Sequence, residues 1–208
     1  MSKSSSSCCA SSSRTSSCCT PNDAAADATP DTSAPVPSTD GDTTVTAATI
    51  RNLEVHPDDR GNVRETYRAS WYPDLPPIKQ LVRSKSRPKT LRGMHLHRRQ
   101  HDIWHFVKGH ALVRIFDHET LEDAYTWAGP GQTIAIPPGK SHGFYTPDGC
   151  VLLYALTEEY DGSDEHGWRW WDGVDPQIEF SDEWPRVIDN LIVSDRDINA
   201  PRLTEFSA

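Results

Sequence analysis

Short apolar runs separated by turn residues dominate the chain between Leu91 and Leu156. Ile103 to Val107, Ala111 to Phe116, Thr133 to Ile136 and Cys150 to Leu156 are rich in β-branched, aromatic and large aliphatic residues, which suit a pleated, half-buried surface. Between them, Lys108-Gly109-His110 is placed to close a hairpin, and Gly129-Pro130-Gly131, Pro137-Pro138-Gly139 and Asp148-Gly149 mark further turns. Strands this short at this spacing predict an all-β sandwich or barrel. No stretch carries a long helical period. Ser194-Asp195-Arg196-Asp197 predicts one short C-terminal helical turn, with acidic residues where a helix N-terminus is positive. The longest apolar run, Cys150 to Leu156, falls far short of the roughly 20 residues that cross a bilayer, so no membrane partner is expected.

The first 49 residues break this pattern. They contain no aromatic, Leu or Ile and are dominated by Ser, Thr, Ala, Asp and Pro, a composition that cannot bury enough surface to fold. The expectation is a disordered tail over residues 1–49 and one folded domain over residues 50–208. Cys8, Cys9, Cys18 and Cys19 lie in the tail and read as incidental thiols, with soft-metal binding as the alternative. Lys3 and Arg14 are not followed by an apolar stretch of the secretory kind, which favours a cytoplasmic protein. A net charge of −9 and a pI near 5.4 oppose broad contact with nucleic acid. An anionic ligand must therefore meet a local cluster of basic residues.

The chemistry concentrates around the histidines. In Leu91-Arg92-Gly93-Met94-His95-Leu96-His97, strand alternation sends His95 and His97 to one face and Leu96 to the other. Asp102 and Gly109 follow, and then Gly131, Pro137, Gly139 and His142. This succession resembles the two signature motifs of the cupin superfamily, with an Asp in the acidic position and no opening glycine in the first motif. The resemblance implies an all-β double-stranded β-helix, or jelly-roll barrel, with short C-terminal helical turns. Likeness to metal-binding cupins would make His95, His97, Asp102 and His142 ligands of one divalent transition metal, in an oxygenase or isomerase.

A second resemblance covers Asp59 to Leu203. Asp59-Arg60-Gly61 with Glu65, Gln80 with Ser84 and Ser86, the run ending at His95, and Ser141-His142-Gly143-Phe144 all agree with it in order and spacing. So do Tyr154, Tyr160, Glu165, Trp170-Trp171-Asp172 and Ser194 to Asp197, ahead of Pro201 and Leu203. These pieces resemble the dTDP-4-dehydrorhamnose 3,5-epimerase family, cupins that act without a metal on nucleotide-sugar ketones. The resemblance implies that His95 is the base, Asp197 its carboxylate partner and Tyr154 the proton donor, with no cofactor. It implies further that Arg60, Glu65, Gln80, Arg92, His142, Glu165 and Arg196 hold the nucleotide sugar. It also implies a homodimer in which the segment carrying Arg60 and Glu65 completes the partner's site. The chemistry suits the residue types, because inversion next to a ketone needs a base on one face, an acid on the other and support for the enolate oxygen.

The chain departs from that family at three places. His97 stands where a Gln is usual, His101 or Asp102 where a Lys is usual, and Val82 where an Asn is usual. A non-catalytic sugar-nucleotide binder therefore stands beside the epimerase and the metal cupin. Taken singly, His95 or His97 is also an ordinary polar group in a barrel mouth, and Tyr154 an ordinary core tyrosine. Trp168, Trp170 and Trp171 read as a cap on the barrel rather than as ligand contacts, and Arg98 and Arg99 as a solvated loop.

Overall fold

The computed structural model describes residues 43–45, 48–170 and 190–206. The sequence expectations for residues 1–42, with the four tail cysteines, and for Trp171 and Asp172 lie outside the described residues. The chain runs through β1 (Thr43–Val45), β2 (Ala48–Asn52), β3 (Val55–Asp58), β4 (Gly61–Arg64), β5 (Gln80–Ser86), β6 (Thr90–Leu96) and β7 (Asp102–Lys108). It continues through β8 (Ala111–Asp117), β9 (Asp123–Ala128), β10 (Gln132–Ile136), β11 (Lys140–Thr146), β12 (Cys150–Leu156), β13 (His166–Gly167) and the single turn of helix α1 (Asp195–Ile198). One sheet has the order β1-β2-β10-β7-β12-β5, a second the order β13-β6-β11-β8-β9, and β3 and β4 form a separate two-stranded arm. This is the jelly-roll architecture that the motifs implied, and no helix among the described residues is long and apolar enough to cross a membrane.

The two large sheets meet through one apolar layer. Trp104, Phe106, Ile134 and Leu152 of the first sheet pack with Val113, Ile115 and Phe144 of the second. Period-two alternation explains which residues enter it, since Asp102, Trp104 and Phe106 share one face of β7 while Ile103 turns outward. The outward face of the first sheet, at Ile103, Ala135 and Ala155, is covered by Tyr67, Tyr72, Leu75 and Ile78. The outward face of the second, at Leu91, Met94, Leu112 and Phe116, is covered by Trp168 and Trp170 and by Leu191, Val193, Leu203 and Phe206 of the C-terminal segment. Trp168 is fully buried there and Trp170 nearly so, and these two tryptophans cover the barrel, as the composition suggested.

Two expectations change. Lys108-Gly109-His110 does not close a hairpin, because β7 and β8 belong to different sheets. It turns a corner between the layers, and Gly109 is needed there because its φ is +74° and a Cβ would stand 2.2 Å from the Gly149 carbonyl oxygen. The boundary at Ile50 also moves toward the N-terminus. β1 pairs with β2, Thr49 pairs with Ala135, and Ala48 is fully buried in the shared core. The Thr/Val/Ala stretch before Ile50 has the small and β-branched side chains that an edge strand accepts, although its low hydrophobicity hides it from composition.

Candidate active site

A cavity of about 390 Å³ opens between the two sheets. β6 and β11 contribute Arg92, His95 and His142 from one side, and β5 and β12 contribute Gln80, Val82 and Tyr154 from the other. Glu165 and Arg196 stand at its edge, the latter on α1.

Strand alternation alone would not bring Arg92 and His95 to one cavity, because they stand three positions apart, an odd number. A β-bulge does so. Phe144 pairs with Arg92 and His142 with His95, so β6 spends one residue more than β11 between the same two pairings. The bulge falls at Gly93, whose φ is +120° and whose Cβ would lie 2.6 Å from Gly143 Cα. Glycines at both crossing points let the two backbones approach this closely.

His95 is oriented by α1. Its Nε2 lies 3.0 Å from Asp197 Oδ1, and the Gly93 N–H donates to Asp197 Oδ2 at 3.2 Å. Arg196 Nη2 is 2.6 Å from the same ring nitrogen. A guanidinium only donates, so Nε2 cannot serve both neighbours in one protonation state. The charge-assisted bond to the carboxylate takes precedence, and Nε2–H donates to Asp197 while Nδ1 keeps the lone pair that a base uses. Asp197 is itself placed by helix capping, since its N–H donates to the Ser194 hydroxyl at 3.2 Å. Burial alone would raise the Asp197 pKa, but the His95 bond and charge, the Gly93 N–H and Arg196 together hold it at about 2. Glu165 receives Arg196 in an ion pair.

Tyr154 comes from the facing sheet, where its register partners are Val82 on β5 and Trp104 on β7. Desolvation, followed by the negative charge of Asp102, raises its pKa above the ordinary value of 10. It therefore stands as a neutral phenol at pH 7, in the protonation state a proton donor requires.

Deeper in the cavity, His97, Asp102 and His142 come together, with ligand-type atoms all within 4.8 Å of one another. His95 is not part of this group, since its ring is engaged by Asp197. Of the four residues suggested by likeness to metal cupins, three converge. Burial, only partly offset by the charge of Asp102, lowers the His142 pKa to about 4. Trp104 stands edge-on to His142 with ring centroids 5.3 Å apart.

Seven of the expected residues, Gln80, Arg92, His95, His142, Tyr154, Glu165 and Arg196, line the one cavity, with Asp197 behind His95. Arg60 and Glu65 do not reach it. Arg60 lies at the tip of the β3–β4 arm, paired with Asp58 and 88% exposed, and Glu65 pairs with Arg68. The sequence reading missed Gln100 and Trp104, which line the cavity and hold the Asp102 carboxylate, and Asp164. The Asp164 carboxylate receives the backbone N–H groups of both Arg98 and Arg99, so their loop is pinned rather than merely solvated. The alternation Asp102-Ile103-Trp104 was the available signal for Trp104; Asp164 is too distant in the chain to have left one.

The family model for dTDP-4-dehydrorhamnose 3,5-epimerase matches residues 42–205. The chain belongs to this family. It is 31% identical over 150 residues to the spore coat polysaccharide biosynthesis protein SpsL of Bacillus subtilis, covering 58% of this chain and 87% of that protein. Among solved structures it resembles dTDP-4-dehydrorhamnose 3,5-epimerase from Sulfolobus tokodaii, at 25% identity and a TM-score of 0.64, over 76% of this chain and 91% of the other. It also resembles ChmJ, a 3'-monoepimerase from Streptomyces bikiniensis in complex with dTDP-quinovose, at 25% identity and a TM-score of 0.66, over 76% of this chain and 84% of the other. The family match begins at residue 42, one position before β1.

Proposed function

We propose that the protein epimerises a dTDP-4-keto-6-deoxy sugar, at C3, C5 or both, by proton abstraction and return beside the ketone. The observation that supports this best is the pairing of His95 and Asp197 on one side of a single cavity with a phenol, Tyr154, contributed by the facing sheet. In this reading the His95 imidazole takes the proton from the carbon next to the ketone, and Asp197 balances the imidazolium that forms. The electron pair of the broken C–H bond moves into the C–C bond, and charge develops on the C4 oxygen. Tyr154 then donates its proton to the opposite face of the same carbon, which inverts it. His95 and Tyr154 carry both proton transfers, so these steps call for no cofactor.

Arg92, Gln80, His142, Glu165 and Arg196 hold the nucleotide sugar, with the guanidinium groups on its pyrophosphate. They are the local basic cluster that an acidic chain needs for an anionic ligand. Arg60 and Glu65 would serve the cavity of a second copy, which makes the working unit a homodimer.

Incubation with a dTDP-4-keto-6-deoxy sugar in deuterium oxide tests the reading. The hydrogen at C3 or C5 should exchange, and the position that exchanges identifies the carbon inverted. His95→Asn should abolish exchange while leaving nucleotide-sugar binding nearly unchanged. Tight binding with no exchange by the unaltered protein would mark it as a binder and overturn the enzyme reading.

A further inference from the structure

We propose that His97, Asp102 and His142 seat a primary ammonium group carried by the substrate, so that the cavity takes a nucleotide 4-keto sugar aminated at C3. The inference rests on the epimerase reading and narrows its substrate class. The first argument is the direction of the lone pairs. His97 Nδ1 lies 3.1 Å from the Asp164 carbonyl oxygen and His142 Nδ1 lies 3.0 Å from the Lys140 carbonyl oxygen. A carbonyl can only accept, so both Nδ1 atoms carry hydrogen and both Nε2 atoms of the neutral rings present lone pairs. Asp102 accepts from Gln100 Nε2 at 2.6 Å and from Trp104 Nε1 at 3.1 Å, which sets the carboxylate plane and leaves further lone pairs on both oxygens.

Three acceptors, one of them an anion, thus converge with no donor among them, and all three residues line the cavity although each is at least nine-tenths buried. Buried acceptors left unmatched cost free energy, so the group that fits this place brings hydrogens and positive charge. A hydroxyl brings one hydrogen and no charge. An alkylammonium brings three hydrogens, tetrahedrally disposed, with the fourth bond to the sugar carbon. Hydrogen bonds of about 2.9 Å from such a nitrogen place its three acceptors about 4.7 Å apart. The facing atoms of His97, Asp102 and His142 all lie within 4.8 Å of one another, with Asp102 Oδ2 and His142 Nε2 drawn in to 3.7 Å.

The location picks the carbon that carries the amine. His142 is the register partner of His95, and Trp104, which holds Asp102, is that of Tyr154, so the cluster neighbours both members of the proton-transfer pair. Its occupant therefore belongs to the sugar ring on which they act. Of the two carbons beside the C4 ketone, C5 already bears the ring oxygen and C6, which leaves C3 for an amino group. The ammonium also gains a task. Among the described residues lining the cavity there is no lysine, Arg196 is held by Glu165 and Asp197, and Arg92 Nε donates to the Ser86 hydroxyl at 3.0 Å. A cation on C3 would stand beside the C4 oxygen and stabilise its developing charge as the C5 proton leaves for His95.

The test uses the full chain and two probes without the ketone, dTDP-6-deoxyglucose and its 3-amino-3-deoxy analogue, compared by titration calorimetry. The amine should bind about tenfold more tightly or better, and its N-acetyl derivative, which loses the charge and two of the hydrogens, should lose that advantage. Asp102→Asn should erase the preference, so that amine and alcohol bind alike. Equal or weaker binding of the amine by the unaltered chain overturns the inference, and a preference that persists in folded Asp102→Asn overturns the assignment to this cluster. Deuterium exchange with the corresponding 4-ketones separates the amine from the epimerase reading. Exchange at C5 that is faster in the aminated ketone, by about tenfold or more in kcat/KM, supports both. Exchange in the hydroxylated ketone alone overturns the amine and keeps the epimerase. Amine-selective binding without exchange in either ketone removes the epimerase reading but supports the ammonium seat.

Discussion

At the scale of single residues, Asp197 links structure to chemistry most directly. Its folded pKa, about 2, lies below the ordinary 3.8, so the folded protein binds this proton less readily than the unfolded chain. The resulting stabilisation, about 2 kcal/mol, is therefore complete above roughly pH 4 and disappears as the pH falls toward 2. Unfolding followed by denaturant across that interval should show the loss in the unaltered protein and a flatter profile in Asp197→Asn. The same substitution deprives His95 of its acceptor, and exchange of the sugar hydrogen at neutral pH should fall by about a hundredfold or more. A variant that keeps full exchange would remove Asp197 from the proton-transfer pair.

At the scale of elements, the bulge in β6 and the first strands carry the predictions. Gly93→Ala places a methyl group against Gly143 Cα at a φ that L side chains rarely adopt, with a cost of about 1–3 kcal/mol. The strand can relieve this by moving Arg92 or His95 off the cavity, so the thermal midpoint should fall and exchange should weaken with it. An unchanged midpoint would mean that the crossing of β6 and β11 tolerates a side chain. Truncation before Ile50 removes β1 and the fully buried Ala48, together with Thr49 and its pairing to Ala135. It should lower the thermal midpoint by several degrees, while truncation before residue 43 should leave the described strands paired. Equal midpoints for the two truncations would show that β1 and the start of β2 contribute nothing to the barrel.

At the scale of the whole molecule, the β3–β4 arm is the informative feature. Its strand residues are mostly exposed, Val63 by 63%, and it carries Arg60 and Glu65 away from the cavity of its own chain. A second copy that received this arm would cover Val55 and Val63 and gain a cation at its own site. Mixing Arg60→Ala with His95→Asn under subunit-exchanging conditions should then recover activity that neither protein has alone, approaching about a quarter of that of the unaltered dimer. No recovery despite demonstrated exchange of subunits would place Arg60 outside the shared site.

Much of the barrel was legible locally. Runs of β-branched, aromatic and large aliphatic residues between turns located β7, β8, β10 and β12, alternation placed His95 and His97 on one face, and a capping pattern marked Ser194 to Asp197 as a helical turn, because each signal is contained in a few neighbouring residues. The turn glycines were equally readable, but where each turn led was not. Gly109 looks the same in sequence whether it closes a hairpin or carries the chain to the opposite sheet, and only the partner strands decide. Arg92 joins His95 in the cavity through a bulge that exists only relative to β11. Asp197 lies 102 positions from His95 and Asp164 lies 67 from His97, and no local period connects groups so far apart. Asp197 could be placed with His95 only through the family resemblance, and Asp164 was not found at all. The donor types of the cavity were thus written in the sequence, while their shared orientation, the direction of each ring's lone pair and the exclusion of Arg60 from its own cavity were decided by tertiary packing. Alternation assigns a residue to a face of its strand, but the facing surface is set by pairings and turns that bring distant segments together.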